Sequence, residues 1–260
     1  MPIFPADYDY DYDYDYTFGG VTVHPIGLPW EPGAGEQWPR LQAGKFPRRY
    51  WDAHRFALVV LAEFAEKNWK ASVDPGPFNP ERVQAELNAL AAIKHDDRSK
   101  MLDEIIKQSN NLASYWLGLL MFNSRSHPAT FDLINVALRV GQFAVMHFKY
   151  KYNRPRPSQL DPRVFPWIDV PGHPSYPSGH ATEAHLLSLC LAEVVPDAKL
   201  PLTRLAKRVA ENREIAGVHY VSDSEAGEKV AAACLAILKT CTLFKEVLEQ
   251  AKAEWTNAQS

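Results

Sequence analysis

Residues 177–195 read PSGHATEAHLLSLCLAEVV. After the glycine, apolar residues recur at the three- and four-residue spacing of one helix face. Ser178 is a suitable N-cap, because its hydroxyl can accept a hydrogen bond from a free backbone N–H of the first turn. The segment therefore predicts an α-helix that begins at Gly179 and ends near Val195.

The same helical spacing recurs on both sides of this segment from Tyr50 onward, and no convincing alternating strand pattern accompanies it. Asn79 before Pro80 predicts a second capped helix start, and Ser222 with Glu225 predicts a capping box. The predicted helices are Trp51–Lys70, Pro80–Lys94, Arg98–Gln108, Leu112–Phe122, Ala129–Tyr150, Gly179–Val195, Leu202–Gly217 and Asp223–Lys252. We expect a single all-α helical-bundle domain over residues 51–260.

The overall composition favours a globular protein over a nucleic-acid-binding or membrane-spanning one. The 260 residues are 46% hydrophobic and 23% charged, which is an ordinary globular balance, and the net charge of −3 gives no general attraction to nucleic acid. Residues 1–16 do not resemble a secretory signal, and no apolar run is long enough to cross a bilayer. We expect a soluble, cytoplasmic protein with no transmembrane segment. Three free, buried thiols are expected at Cys190, Cys234 and Cys241.

The N-terminal region has a different character. Residues 7–16 are five Asp-Tyr repeats, and the following region is rich in proline and glycine. We divide it into a low-complexity tail at 1–20 and an irregular strap at 21–50. The repeat predicts a tail that does not pack by itself or an arm that pairs with a second subunit in a homodimer; metal binding by its aspartates is a further alternative.

A proline-rich segment separates the predicted helices of the second half. Residues 152–177 contain seven prolines, too many for a helix interior, and this predicts a loop that leaves the helix ending near Tyr150.

Three short motifs stand in order around this loop. They are Lys149 with Arg156-Pro157, then Pro177-Ser178-Gly179-His180, then Arg213, His219 and Asp223. The lysine and the two arginines can bond the oxygens of a tetrahedral anion, and the helix N-terminus at Ser178-Gly179 adds backbone N–H groups and the positive end of the helix dipole. The combination predicts a phosphate-binding pocket.

The two histidines suggest different tasks. Asp223 can accept a hydrogen bond from one ring nitrogen of His219 and leave the other as a nucleophile toward phosphorus. His180 can then act as general acid and base. Each motif alone has a simpler interpretation, namely a solvated loop, a helix cap or a structural histidine, but the three together favour a catalytic site.

This order of motifs closely resembles the signature of the type 2 phosphatidic acid phosphatase and vanadium haloperoxidase superfamily. The resemblance implies that Lys149, Arg156 and Arg213 clamp the oxyanion, that Ser178 and Gly179 donate hydrogen bonds, and that His180 is the acid and base. It implies that His219, oriented by Asp223, is the phosphorylated nucleophile or, in an oxidase, the ligand of vanadate. Asn212 departs from the pattern, since this position is commonly serine in the family.

Two reactions are compatible with such a pocket. We expect a soluble acid phosphatase-like enzyme that hydrolyses a small-molecule phosphate ester through phosphohistidine and requires no cofactor. The alternatives are a vanadium-dependent haloperoxidase that binds vanadate and oxidises halide with peroxide, and a phosphate- or phospholipid-binding module without turnover.

For the other polar and aromatic residues near the motifs, the sequence predicts no direct catalytic role. Lys151, Arg154 and Arg163 are expected to be solvated loop charges. His173 could line the pocket mouth, whereas His185 is expected to face away from His180 on their shared helix. For Tyr176 and Trp167 two predictions stay open: they form an apolar wall of the pocket, or they pack in the core.

Overall fold

The computed structural model describes residues 46 and 48–257 together with two short strands, β1 (Thr17–Phe18) and β2 (Val21–Thr22), which pair antiparallel. The chain divides into two compact units, 1–47 and 48–260. The Asp-Tyr repeat and most of the predicted strap lie outside the described residues. The tail, the strap, the subunit-pairing arm and the homodimer therefore stay predictions.

The second unit is built from α-helices, which confirms the all-α prediction. In its described part these are α1 (Ala53–Ala65), α2 (Trp69–Val73), α3 (Val83–Ala91), α4 (His95–Asn110), α5 (Ser114–Leu120), α6 (Pro128–Tyr152), α7 (Pro157–Leu160), α8 (Gly179–Val194), α9 (Lys199–Ile215), α10 (Val221–Leu238) and α11 (Thr242–Asn257). Three-residue 3₁₀ helices occur at Arg48–Tyr50, Pro80–Arg82 and Pro196–Ala198.

Helix α8 lies at the centre of the bundle. It packs against α6, α9 and α10, while α1 and α11 cover other parts of α6. Leu187 and Leu191 of α8 and Val140 of α6 are fully buried, and burial of such side chains stabilises the fold by roughly 1.5–3 kcal/mol each. The start of α8 meets the start of α10, because the Ser178 N–H donates to the backbone oxygen of Asp223 at 3.0 Å. The motif-bearing ends of the helices therefore converge.

Several local predictions are confirmed. Ser178 is the N-cap of α8 and its side chain accepts from the Ala181 N–H, and Asn79 caps the 3₁₀ turn at Pro80–Arg82. The three cysteines are free and buried. Among the described residues, no helix combines the length and the apolar character that a membrane crossing requires.

The predicted helix Asp223–Lys252 is wrong, because the chain forms two helices that break at residues 239–241. A distant residue explains the break. The carboxylate of Glu63 on α1 accepts from the N–H groups of Thr242 (2.6 Å) and Leu243 (3.0 Å) and so caps α11. Such a cap cannot be read from the local sequence.

Three smaller predictions also require correction. The helix predicted at 51–70 is interrupted after α1, where the chain turns and buries Trp69 against aromatic rings of α6. The proline-rich loop contains the short helix α7. The Ser222–Glu225 capping box is wrong: α10 begins at Val221, and Glu225 instead pairs with Arg82 at 2.7 Å.

Gly227 of α10 allows α8 and α10 to approach closely. A Cβ at this position would lie 2.9 Å from the backbone oxygen of Ser178 and 3.0 Å from the side chains of Ala181 and Thr182. Gly227→Ala is therefore expected to reduce the free energy of unfolding by about 1–3 kcal/mol despite the better helix propensity of alanine. Denaturant-induced unfolding measures this change.

The matched control is Gly118→Ala in α5, where an added Cβ meets nothing within 4 Å. This control is expected to keep or slightly raise stability. Equal unfolding midpoints for Gly227→Ala and the wild type would contradict the close-packing argument.

Candidate active site

Lys149 lies in the last turn of α6 with its ammonium group buried. Its Nζ donates to the backbone oxygens of Pro174 (2.7 Å) and Ser175 (2.9 Å). Burial, followed by the nearby charge of Arg156, holds the pKa of Lys149 well below its usual range. An anion in front of this ammonium group would relieve both effects.

Arg156 immediately precedes α7 and is also buried. Its Nη1 donates to the backbone oxygen of Val218 at 2.7 Å and lies 3.0 Å from Nε2 of His219, while its Nε donates to the His173 oxygen at 3.1 Å. Burial lowers the pKa of Arg156 to about 10, although Asp223 opposes this shift. The guanidinium group is therefore in direct contact with the predicted nucleophile.

Arg213 is the third predicted cation and lies near the end of α9. Its guanidinium donates to Ser109 Oγ (2.6 Å) and to the Ile105 oxygen (2.8 Å), both on α4. Its Nε–H is buried and has no acceptor within the described residues. Burial lowers the pKa of Arg213 to about 10. The structure thus places α4, which carries none of the motifs, beside the site.

The three cations share an unusual electrostatic condition. Within residues 48–257, none of Lys149, Arg156 and Arg213 forms an ion pair with a carboxylate; their acceptors are mostly backbone oxygens and neutral side chains. Buried charges are normally paired, since an unpaired ion loses its hydration without compensation. This part of the protein therefore retains net positive charge that a bound anion would neutralise.

His219 lies in the short connection between α9 and α10. Gly217, with a φ of 77°, permits the turn that follows α9. His219 Nδ1 is 2.9 Å from Oδ2 of Asp223, so Nδ1 carries the proton in the neutral ring and Nε2 carries the lone pair. Burial and the charges of Arg156 and Lys149 hold the pKa of His219 well below its usual range, which keeps the imidazole neutral.

The carboxylate of Asp223 is fully hydrogen-bonded. Oδ2 accepts from the Tyr220 N–H at 3.1 Å and from the Ser175 hydroxyl in addition to His219, and Oδ1 accepts from Arg154 at 2.7 Å. These contacts fix the carboxylate orientation, as the sequence-based role of an orienting acid requires.

The second motif lies at the start of α8. Ser178 is fully buried, while the His180 residue is half-buried and its imidazole donates to the backbone oxygen of Gln108. At Gly179 an added Cβ would meet only Val145, at 3.9 Å, so the protein gives no steric reason for glycine there.

His180 is electrostatically coupled to the rest of the site. Burial, then the charge of Arg213, and then those of Lys149 and Arg156 lower the pKa of His180 to about 3. His180 in turn contributes to the lowered pKa of His219. The structure therefore brings all eight predicted site residues to one end of the bundle; their catalytic roles stay predictions.

The prediction for Arg154 is wrong. Instead of lying in solvent, it is 1% exposed and bridges Asp223 and Glu86, the latter at 2.9 Å. The prediction failed because Glu86 stands 68 residues earlier in the chain and no local pattern connects the two.

Sequence reasoning also missed Ser175. Its hydroxyl donates to Asp223 and lies 3.4 Å from Nδ1 of His219, while its backbone oxygen accepts from Lys149. A serine in a proline-rich loop carries no distinguishing sequence pattern. Only its closeness in sequence to Pro177-Ser178 could have suggested that Ser175 lies in the site.

The remaining predictions have mixed outcomes. His173 does reach the site, with Nδ1 3.1 Å from Nη2 of Arg156, and burial lowers its pKa to about 4. His185 is buried and interacts electrostatically with Glu228 and Lys207 rather than with the cations. Lys151 and Arg163 are exposed and pair with Asp74 and Asp161, respectively.

The two aromatic residues and Asn212 have defined contacts, and the choice between pocket wall and core stays a prediction for Trp167. Tyr176 is buried and donates to the Gly76 oxygen at 2.8 Å, and Trp167 stacks edge-on against His95. Asn212 donates to Gln108 (2.9 Å) and Glu104 (3.1 Å), so its amide links α9 to α4.

Comparison with known protein families places the three motifs within one matched segment. Residues 133–246 match the model of the PAP2 superfamily, and the match includes all three motifs. The resemblance inferred from the motifs is thereby confirmed at the level of the superfamily.

Two curated proteins that this chain matches are acid phosphatases. The non-specific acid phosphatase of Salmonella typhi is 31% identical over 139 residues, which cover 51% of this chain and 55% of that protein. The acid phosphatase of Zymomonas mobilis is 31% identical over 137 residues, which cover 51% and 52%. The chain therefore spans about half the length of the curated relatives it matches.

One solved structure in the comparison is the transmembrane PAP2 type phosphatidylglycerolphosphate phosphatase from Bacillus subtilis. It is 18% identical, with a TM-score of 0.45, and the alignment covers 72% of this chain and 92% of that one.

Proposed function

We propose that this protein is a phosphoric monoester hydrolase that works through a phosphohistidine at His219. One observation carries the proposal: Nε2 of His219 lies 3.0 Å from Nη1 of Arg156, within a cluster of buried cations that have no carboxylate partner in the described chain. A lone pair beside uncompensated positive charge suits attack on an anionic phosphoryl group. The similarity to acid phosphatases adds support.

Substrate binding would use the donors that now bond to neutral groups. Arg156 and Lys149 would exchange backbone oxygens for phosphate oxygens, and the free Nε–H of Arg213 would gain an acceptor. A buried donor without a partner costs about 1–3 kcal/mol, so this exchange favours the bound anion. Ser178 and Gly179 would contribute the hydroxyl and N–H groups of the α8 N-terminus.

The reaction then proceeds in two displacements. The Nε2 lone pair of His219 attacks phosphorus, the bond from phosphorus to the ester oxygen breaks, and His180 gives its proton to the leaving alcohol. Water next attacks the phosphohistidine, His180 takes the proton of that water, and the N–P bond breaks to release phosphate. The cations stabilise the charge of the phosphoryl oxygens throughout.

Substrate binding would itself favour protonation of the general acid, His180. Without an anion, burial and the charges of Arg213, Lys149 and Arg156 keep the pKa of His180 at about 3. A bound phosphate group offsets those positive charges and raises this pKa, so His180 can hold a proton when a leaving group is present. Proton delivery is thus coupled to binding.

A substrate panel with and without vanadate tests the proposal. We expect hydrolysis of p-nitrophenyl phosphate, inhibition of that hydrolysis by vanadate, and no loss of activity after EDTA treatment. The expectation follows because vanadate resembles phosphate, and because Lys149, Arg156 and Arg213 supply the positive charge that a metal ion could otherwise supply.

The same panel separates the alternatives. Bromide oxidation by the vanadate-loaded protein with peroxide, without ester hydrolysis, would identify a haloperoxidase and refute the proposal. Phosphate binding without either turnover would identify a binding module and refute it equally.

A further inference from the structure

A buried ion network lies behind the nucleophile, on the side of Asp223 away from His219. The Arg154 guanidinium places Nη1 2.7 Å from Oδ1 of Asp223 and Nη2 2.9 Å from Oε2 of Glu86. Its plane stacks on the Tyr220 ring at 3.6 Å and faces the Phe78 ring at 4.7 Å. Packing and hydrogen bonds together hold this arginine in one orientation.

Glu86 connects this network to helix α3, outside the segment that matches the PAP2 superfamily. Its Oε1 accepts from the backbone N–H of Ser222 at 2.8 Å, and its Oε2 accepts from the Ser222 hydroxyl at 2.9 Å. A carboxylate at the N-terminus of α10 is favourable for the helix dipole. Glu86 therefore holds both Arg154 and the first turn of α10, which carries Asp223.

We propose that Arg154 and Glu86 are positioning residues that fix the orientation and charge of Asp223 and, through it, the tautomer of His219. This inference rests on the function proposed above. Arg154 is not a fourth oxyanion clamp, because its two terminal nitrogens are directed at carboxylates and Ser222. The two arginines of the Arg154-Pro155-Arg156 run thus have opposite tasks: Arg156 remains available for an anion, and Arg154 is neutralised.

The charge balance explains how Arg154 would act on the nucleophile. Arg154, Glu86 and Asp223 together carry one net negative charge beside the Nδ1–H of His219; the exposed Arg82, 3.6 Å from Oε1 of Glu86, is shared with Glu225. Without the guanidinium group that charge becomes −2, which favours the imidazolium form of His219, and an imidazolium ring has no lone pair for phosphorus. Oδ1 of Asp223 would also lose its arginine partner.

The charged and titratable groups around His219 come from several elements. They are Lys149 on α6, Arg156 before α7, His173 in the proline-rich loop, His180 on α8 and Asp223 on α10. All are unchanged in the variants below, so a change in the pH profile reports on the network itself.

Arg154→Met tests the inference. We expect kcat for p-nitrophenyl phosphate to fall about 10- to 100-fold, the magnitude usual for partners that orient a reactive group, with KM changed less than about threefold. The acidic limb of the kcat/KM profile is expected to move to higher pH, since His219 becomes easier to protonate. Adding Glu86→Gln to this variant removes one of the two buried anions and is expected to restore part of the rate and shift the limb back.

Matched controls make the result specific. Arg163→Met removes an exposed arginine of the same loop, bound to Asp161, and is expected to leave kcat and the pH profile unchanged. Arg154→Lys keeps the positive charge but cannot bridge both carboxylates, so its kcat should lie between those of the wild type and Arg154→Met. If Arg154→Met does not fold, Arg154→Lys is used in its place.

A second readout does not depend on turnover. The ¹⁵N shifts of His219 report its tautomer and protonation, and we expect neutral Nδ1–H in the wild type and imidazolium at higher pH in Arg154→Met. Unchanged shifts and unchanged kcat in a folded variant would overturn the inference, as would a large rise in KM at constant kcat. Absence of ester hydrolysis in the wild type would instead refute the proposed function, and the His219 shifts would still decide on Arg154.

Discussion

His219→Ala is expected to lower kcat for phosphate-ester hydrolysis by at least about 10⁴-fold, because removal of a covalent nucleophile leaves only binding and electrostatic stabilisation. Neither of two nearby residues, His180 and Ser175, is expected to replace His219 as the nucleophile. His180 is coupled to the cations but lies at the start of α8, and Ser175 is already bonded to Asp223. Steady-state hydrolysis of p-nitrophenyl phosphate measures the loss.

The His219→Ala variant should fold, since the two residues that contact the His219 ring in the wild type keep other hydrogen bonds. Oδ2 of Asp223 still accepts from the Tyr220 N–H, and Nη1 of Arg156 still donates to the Val218 oxygen. Circular dichroism checks this, and His219→Gln fills the cavity if alanine proves too disruptive. His95→Ala, at an exposed histidine, serves as control. Residual activity within tenfold of the wild type would remove the phosphohistidine from the mechanism.

The parts of the site that could be predicted are those whose signal is local. Ser178 and Asn79 act within one turn of their own helices, so their caps are visible in a few letters. His219 and Asp223 stand four residues apart across a helix start, which is why their contact could be proposed before the structure was known.

The parts that could not be predicted depend on distant partners. Arg154 and Arg156 occupy nearly identical local sequence, each followed by proline, and their roles differ because Glu86 and Asp223, from two other helices, bind Arg154. In the same way Glu63 divides the last predicted helix by capping α11. The contact of α4 with Arg213 depends on Ser109 and Ile105, 104 and 108 residues earlier in the chain.

Asp223→Asn is expected to have the second largest effect, a fall in kcat of about 10²- to 10⁴-fold, comparable to loss of the orienting acid in hydrolase triads. The amide has one oxygen where the carboxylate has two. Oδ2 now accepts from His219, Tyr220 and Ser175, so we expect the amide oxygen to stay on that side. The NH₂ group would then face the Arg154 guanidinium, and the negative charge that polarises the imidazole would be lost.

This geometry predicts non-additive kinetics. Arg154→Met removes the donor that would oppose the new NH₂ group, so the double variant should be no slower than Asp223→Asn alone, whereas independent effects would multiply. Asp197→Asn, at an exposed position before α9, is the matched control. Arg154 contacts Asp223 at 2.7 Å, and its terminal nitrogens bond carboxylates and Ser222. Additive losses would therefore mean that the two residues act separately and that the arginine serves the substrate instead.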